Sequence, residues 1–280
     1  LTLGGTDAQK QTFLPQIVDG TLTTSLALEE GNRHAPYSIE TQAKKNGDSF
    51  VISGSKNFVI DGHSSNLLIV AARTEGYKND VSGITVFLVD SETDGIEITK
   101  TNMVDSRNAA NIKFSDVAIS SNNILGEENN GASLLESVLD RAQIAISAEM
   151  LGNASQAFDL TLAYLKERKQ FGAVIGTFQA LQHRAAEMYS ELELTKSSVI
   201  AACNAVDNNS NDLRRMASLA KFKSGETNYL VTNEAVQMHG GVGVTDEYDV
   251  GLFMKRARVT EQIFGNSEYH IDRYATLSDY

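Results

Sequence analysis

Between residues 21 and 117 the apolar positions alternate with polar ones or form short β-branched runs. From residue 131 onward they recur every three or four positions. The first pattern belongs to strands with one buried face, the second to helices packed along one stripe. Residues 21–28, 38–43, 50–53, 58–60, 67–73, 84–89, 96–99 and 111–114 read as strands. Asn46-Gly47 signals a hairpin whose turn positions both need positive φ. Many short strands without helices between them predict an antiparallel barrel or sandwich over 21–120. Ahead of it, residues 7–15 form a short helix capped by Thr6 or Asp7 and ended near Pro15. The first residues already read as the tail of a helical segment, so 1–20 are expected to be the remnant of a longer N-terminal helical domain.

In the second half, Leu134, Leu135, Val138, Leu139, Ala142, Ala145 and Ile146, then Leu151, Ala154, Phe158 and Leu162, predict one helix from residue 131 nearly to Gly172. Further helices are expected over 177–206, 212–239 and about 250–264. The loop Asp207-Asn208-Asn209-Ser210-Asn211 breaks the second from the third. No proline follows Pro36. The fold class is therefore α+β: an antiparallel β-barrel or sandwich, then an up-down helical bundle over 121–280.

Composition narrows the function classes. A chain of 280 residues, 41% hydrophobic and 21% charged, can bury a substantial core. A net charge of -12 is the opposite of a nucleic-acid-binding surface, so no nucleic-acid partner is expected. Arg168, Lys169, Arg184, Lys255, Arg256 and Arg258 still allow a local cationic site. No apolar run approaches the ~18 residues of a membrane span. There is no secretory leader pattern, and the single cysteine, Cys203, cannot close an intrachain disulfide. A cytoplasmic, reducing location is expected. No metal ligand set stands out.

Two strings carry candidate chemistry. Lys166-Glu167-Arg168-Lys169-Gln170-Phe171-Gly172, with Gln179 after it, puts a guanidinium, amides and an aromatic ring at a helix end. Arginine's planar fork suits a diphosphate. Alone, the segment equally fits a basic helix terminus followed by a glycine cap. Gln237-Met238-His239-Gly240-Gly241-Val242-Gly243 lacks the preceding strand and following helix of a dinucleotide-binding fingerprint, so that reading is rejected.

In this order and spacing, behind a strand-rich half, the two strings resemble the acyl-CoA dehydrogenase family. Phe178-Gln179, Gln182-His183, Thr245, Glu247 and Tyr248 continue the likeness, which covers nearly the whole chain. The resemblance implies an FAD-dependent flavoprotein that desaturates acyl-CoA thioesters, passing electrons to an electron-transfer flavoprotein. It implies a homo- or hetero-tetramer with a homologous subunit. Arg168 and Phe171 would serve a neighbour's flavin, Gln170 and Gln179 would also bind flavin, and Gln237, Gly240 and Gly241 would lie along the cofactor's diphosphate. Leu26-Ala27-Leu28-Glu29-Glu30 stands where relatives have a Thr-Glu-Pro-Gly-Ala-Gly-Ser loop, so the threonine and serine contacts are lost. Lys56-Asn57-Phe58-Val59-Ile60-Asp61-Gly62 replaces a segment carrying Trp and Thr against the flavin ring; Phe58 can still stack, whereas Ile60 cannot hydrogen-bond. His63 reads as a loop residue.

The resemblance also exposes a gap. Removing an α-proton needs a carboxylate whose basicity is raised by burial. Relatives place it within a Tyr-Glu-Gly-Thr-like string or on the first long helix of the bundle. Here the string reads Ile263-Phe264-Gly265-Asn266-Ser267, giving Gly265 as the base position; on the helix, the matching residue is Ala142. Neither is a carboxylate, and Glu261, Glu268, Asp140 and Glu149 are weak substitutes. The Ile-Phe-Gly string is similar to the small subunits of heteromeric bacterial acyl-CoA dehydrogenases, in which a partner supplies the base. Three readings follow: a dehydrogenase subunit, a catalytically inactive partner, and a flavin-dependent monooxygenase-like protein on the same scaffold.

Overall fold

The computed structural model describes all 280 residues. They divide into two compact units, Leu1–Val138 and Leu139–Tyr280.

The first unit opens with α1 (Asp7–Val18). Thr6 and Gln9 form a reciprocal capping box, and the Gln9 amide donates onward to the carbonyls of Asn122 and Ile124. The helix passes through Pro15 instead of ending there. Proline removes one N–H but keeps its carbonyl, which accepts from the Asp19 N–H at 3.0 Å.

Eight strands follow: β1 (Thr24–Ala27), β2 (Gln42–Asn46), β3 (Ser49–Ile60), β4 (Leu67–Arg73), β5 (Ile84–Asp90), β6 (Ile96–Asn102), β7 (Asn108–Ser120) and β8 (Ile124–Leu125). They form one sheet in the order β6-β7-β3-β2-β4-β5-β8, with β1 on β4. The sheet is mixed, not purely antiparallel: β1 and β2 both run parallel to β4. Phe50, Ile52, Leu68, Val70, Phe87, Ile112 and Phe114 fill its core, with Phe50 edge-on to Phe87 at 5.2 Å. Each such side chain contributes about 1.5–3 kcal/mol.

Three departures from the sequence pattern have local causes. Residues 38–41 stay outside the sheet because the Glu30 carboxylate takes the N–H groups of Glu40 (2.7 Å) and Thr41 (3.1 Å). Residues 50–53 and 58–60 are one strand, β3, whose ladder with β7 slips between Ile52 and Gly54 and again between Lys56 and Val59. The β2–β3 turn is Gly47-Asp48, not Asn46-Gly47, and only Gly47 is at positive φ, the geometry with glycine first.

The irregular stretch between β1 and β2 is held by buried charge. Lys56, fully buried, bonds Glu30 at 2.6 Å and the Leu28 carbonyl at 3.1 Å. Arg73 donates to five carbonyl oxygens, those of Ile39, Glu75, Ser82, Tyr37 and Asp80.

The second unit is helical. α2 (Gly131–Glu167) crosses into it and stops before Gly172, giving way to a two-stranded ribbon of β9 (Lys169–Gln170) and β10 (Ala173–Val174). α3 (Gln179–Asp207), α4 (Leu213–His239), α5 (Val250–Gln262) and α6 (Ser267–Thr276) complete it. The last was absent from the sequence reading; its cap is Asn266, whose side chain accepts from the Tyr269 N–H. Met188, Leu192, Val231, Ala235 and Met238 pack the core where α3 and α4 meet α2. No helix is long and apolar enough to cross a membrane.

Removing one partner of the Lys56–Glu30 pair strands the other charge in the core. Glu30→Ala should cost about 3–5 kcal/mol in urea unfolding, and Lys56→Met combined with Glu30→Leu should recover most of that loss. A loss below about 1 kcal/mol for Glu30→Ala would show that the pair does not anchor the stretch.

Candidate functional site

Arg168 begins a tight reversal at the end of α2. Its N–H donates to the Tyr164 carbonyl and its own carbonyl accepts from Ile175, both at 2.9 Å. Phe171 (φ 53) and Gly172 (φ 79) form the two-residue turn of the β9–β10 ribbon, both left-handed as a type I′ turn requires. Glycine accepts that geometry; phenylalanine does so at a cost of order 1–3 kcal/mol. The Phe171 ring is nevertheless 91% exposed, touching Phe178 edge-on at 6.3 Å. Arg168, Gln170 and Gln179 are exposed around it, and no carboxylate of the chain pairs with Arg168.

The second string ends α4. Gly240 takes φ 67, ψ -145, a combination essentially reserved for glycine. A Cβ on Gly240 or Gly241 would meet nothing within 4 Å, so the glycine at 241 has no packing reason inside this chain. Gly243 does: a Cβ there would lie 2.6 Å from the Val236 carbonyl oxygen. Gln237 is exposed beside the turn.

Tyr164 joins the two strings. Its carbonyl holds the Arg168 N–H, its hydroxyl donates to the His239 carbonyl at 3.2 Å, and its ring stacks on His239 at 4.2 Å with Tyr248 edge-on to both. Burial pushes the His239 imidazole below its ordinary pKa, and its Nδ1 faces the Ala235 carbonyl at 2.7 Å. His239 is thus a neutral stacking group. An ion pair between Arg184 of α3 and Glu234 of α4 closes the same end of the bundle. The structure therefore brings Arg168, Gln170, Phe171, Gln179, Gln237, Gly240 and Gly241 to one end of the second unit. Phe58 belongs to the first unit, at the second slip of β3. It is left-handed (φ 51) and 38% exposed, and its N–H donates to Asn111 Oδ1.

At the two expected base positions no carboxylate stands. Ala142 is half-buried on α2. Gly265 (φ 102) is buried, and a Cβ there would lie 2.5 Å from Tyr269 Cδ1 and 2.9 Å from His270 Nε2, so a side chain at 265 would be strained and would force both rings to shift. The substitutes are engaged or solvated: Asp140 pairs with Arg273 at 2.6 Å, Glu149 with Arg256 at 2.6 Å, Glu261 accepts from Gln262, and Glu268 is exposed. No group of three or more His, Cys, Asp or Glu side chains is placed to hold a metal.

What the sequence did not reveal is the set of buried donors behind residues 263–266. Lys221 of α4 donates to the carbonyls of Glu261 (2.9 Å) and Gly265 (2.7 Å). His270 Nε2 lies 3.0 Å from the Phe264 carbonyl and Gln143 Nε2 lies 3.3 Å from it. These partners are 6 to 121 residues apart in sequence, and lysine on a helix reads as a solvated charge.

Comparison with known proteins matches residues 26–117 to the acyl-CoA dehydrogenase middle domain and residues 129–276 to the acyl-CoA dehydrogenase C-terminal domain. The mitochondrial short/branched chain specific acyl-CoA dehydrogenase of Bos taurus is 32% identical over 277 residues, 97% of this chain and 63% of the bovine protein. The chain thus spans somewhat less than two thirds of that relative's length. The structure of butyryl-CoA dehydrogenase from Megasphaera elsdenii superposes with a TM-score of 0.93 at 30% identity, covering 99% of this chain and 73% of that one. A steroid ACAD named as a pair of gene products superposes with a TM-score of 0.87, also at 30% identity, covering 99% and 72%.

Burial lowers the Lys221 pKa from 10.5 to about 8. Between those values the unfolded chain keeps a proton that the folded chain has released, so stability should rise as pH climbs from about 8 toward 10.5. Urea unfolding at about pH 7.5 and about pH 9.5 should show the native protein gaining on Lys221→Met by about 1–2 kcal/mol. Parallel pH dependence in the two proteins would contradict the assignment.

Proposed function

The chain belongs to the acyl-CoA dehydrogenase family, and from that premise we propose that it works as one subunit of an FAD-dependent acyl-CoA dehydrogenase. In that complex an acyl-CoA thioester is desaturated between Cα and Cβ, and the base comes from a homologous partner chain. A homo- or hetero-tetramer, an electron-transfer flavoprotein as acceptor and a cytoplasmic location complete the reading.

The observation that carries it is the committed, outward-facing end of the second unit. Phe171 is held left-handed with its ring in solvent, and Gly240-Gly241 leave open space that nothing in the chain fills. Strain kept at an exposed aromatic is a mark of binding. These residues fit FAD. Arg168, unpaired and with its backbone fixed on both sides, would hold the diphosphate through a bidentate contact. Gly240 and Gly241 would let backbone approach the same group, with Gln237 beside them. Gln170, Gln179 and the Phe171 ring would line the remainder. Bound FAD supplies the acceptor for the hydride leaving Cβ.

No carboxylate stands at either position where the family places the base. Neither Gly265 nor Ala142 is a carboxylate, Asp140 and Glu149 are paired, and the usual string carries no acid. This absence favours a partner-supplied base over independent catalysis, and the structural neighbour named for two gene products is compatible with it.

The test is to purify the full-length protein alone and together with its neighbouring homologue, add an acyl-CoA, and follow flavin bleaching. Bleaching only by the mixture is expected; bleaching by the chain alone would refute the partner-supplied base. Retained flavin that consumes oxygen with a reductant, without bleaching, would favour the monooxygenase-like alternative. In the mixture, Arg168→Ala should weaken flavin retention roughly tenfold or more, the loss of a charge-assisted contact. Unchanged retention would remove Arg168 from the site.

A further inference from the structure

The turn over 263–266 is more elaborately held than a simple connection between α5 and α6 requires. Phe264 is left-handed (φ 58), a strain of order 1–3 kcal/mol for a bulky residue, which persists only where the surroundings impose it. The surroundings are three buried donors on three helices. His270 of α6 and Gln143 of α2 both point at the Phe264 carbonyl, at 3.0 and 3.3 Å. Lys221 of α4 bonds the Gly265 carbonyl at 2.7 Å and, through Glu261, the end of α5. Holding the Phe264 carbonyl fixes the peptide plane that follows residue 264, and Ile263, buried on the other side, anchors the one that precedes it; together they set the direction in which side chain 264 leaves the backbone.

A second layer holds the donors. Arg273 donates to Gln143 Oε1 at 3.2 Å, to Ser218 at 3.1 Å and to Asp140 at 2.6 Å. His270 Nδ1 faces the Ser218 hydroxyl at 3.4 Å. A carbonyl can only accept, so His270 must carry its proton on Nε2, leaving Nδ1 to accept from Ser218. Within the turn Ile263 is buried, a Cβ at 265 would be crowded, and the Asn266 side chain is taken up in capping α6; Phe264 is left as the side chain that reaches the surface.

We propose that Gln143, Lys221 and His270 are positioning residues whose joint task is to aim side chain 264 out of the bundle, and that 264, not 265, is the seat that faces the substrate. Setting Gly265 and Asn266 on the glycine and threonine of the Tyr-Glu-Gly-Thr-like string puts Phe264 in the place of its carboxylate. The chain keeps the aiming device and carries an apolar ring on it. What side chain 264 faces rests on the functional reading above; the aiming does not.

The chain contains no tryptophan, so Phe264→Trp places a single fluorescent reporter on the seat. Its anisotropy and acrylamide quenching are measured well below the melting temperature. Gln143→Ala, Lys221→Met or His270→Ala added to Phe264→Trp should each free the indole, raising quenching severalfold, and His270→Gln, which keeps a donor, should restore it. Lower melting temperatures with an unmoved indole in all three would reduce these residues to ordinary packing and overturn the proposal. Gln143→Ala leaves two donors in place and keeps the test open if a harsher variant fails to fold. A second arm uses Phe264→Glu with FAD and an acyl-CoA in deuterated water. The introduced carboxylate should take the proton from Cα and return a deuteron, and adding His270→Ala should slow this exchange tenfold or more. An indole that responds while Phe264→Glu gives no exchange would uphold the aiming and refute the acyl-facing seat.

Discussion

A charge or carbonyl taken out of water has to find its partner where it lies, and in both units this requirement shapes the segments that are neither helix nor strand. In the first unit Lys56, buried without a trace of exposure, can exist there only because Glu30 and the Leu28 carbonyl meet it. Meeting it draws Glu30 inward, and Glu30 then claims the N–H groups of Glu40 and Thr41. In the second unit Lys221 does the corresponding work on Glu261 and Gly265. Hydrophobic burial makes each unit compact, but it has no direction. The buried polar contacts decide which way the irregular segments face.

This division of labour explains what could be read from the sequence. Strand β4 (Leu67–Arg73) was legible to the residue because its apolar run is continuous and buried on both faces. Residues 38–41 looked like a strand because alternation is all a sequence shows, whereas the carboxylate that occupies their backbone sits ten residues earlier. α6 escaped notice because ten residues with one strong cap give little periodicity. The site divides in the same way. Arg168, Phe171, Gln237 and Gly240 stood out through unusual residue types at helix ends. Tyr164, Lys221 and His270 did not, since a tyrosine, a lysine and a histidine on helices look ordinary until their partners, up to 84 residues away for Tyr164, are known. The crowding at Gly265 was equally hidden, since a Cβ there would press on Tyr269 and His270.

Tyr164 has a particular place among these hidden contacts. A turn at the end of α2 and a glycine turn at the end of α4 are far apart in sequence and individually weak signals. One residue holds the first by its carbonyl and the second by its hydroxyl and ring. The stacked, neutral His239 adds rigidity without adding charge beside an arginine, Arg168, that pairs with no carboxylate of the chain.

Backbone strain gives an independent measure of where function lies. Three phenylalanines, Phe58, Phe171 and Phe264, are left-handed, and none is rewarded by full burial of its ring. Each costs of order 1–3 kcal/mol in a fold whose total margin is about 5–15 kcal/mol. Relaxing them would be easy on stability grounds: a glycine or asparagine at any of the three would accept the same geometry. A fold that instead keeps aromatic rings at positions where the backbone penalises them is spending stability on what those rings touch. All three lie in segments where the family likeness implies flavin or acyl contacts, although two of the three were chosen there by the sequence for different reasons. The third, Phe264, came to light only through the geometry of its neighbour. Its ring sits on a turn anchored from three helices, and that anchoring would be superfluous if the direction of side chain 264 did not matter.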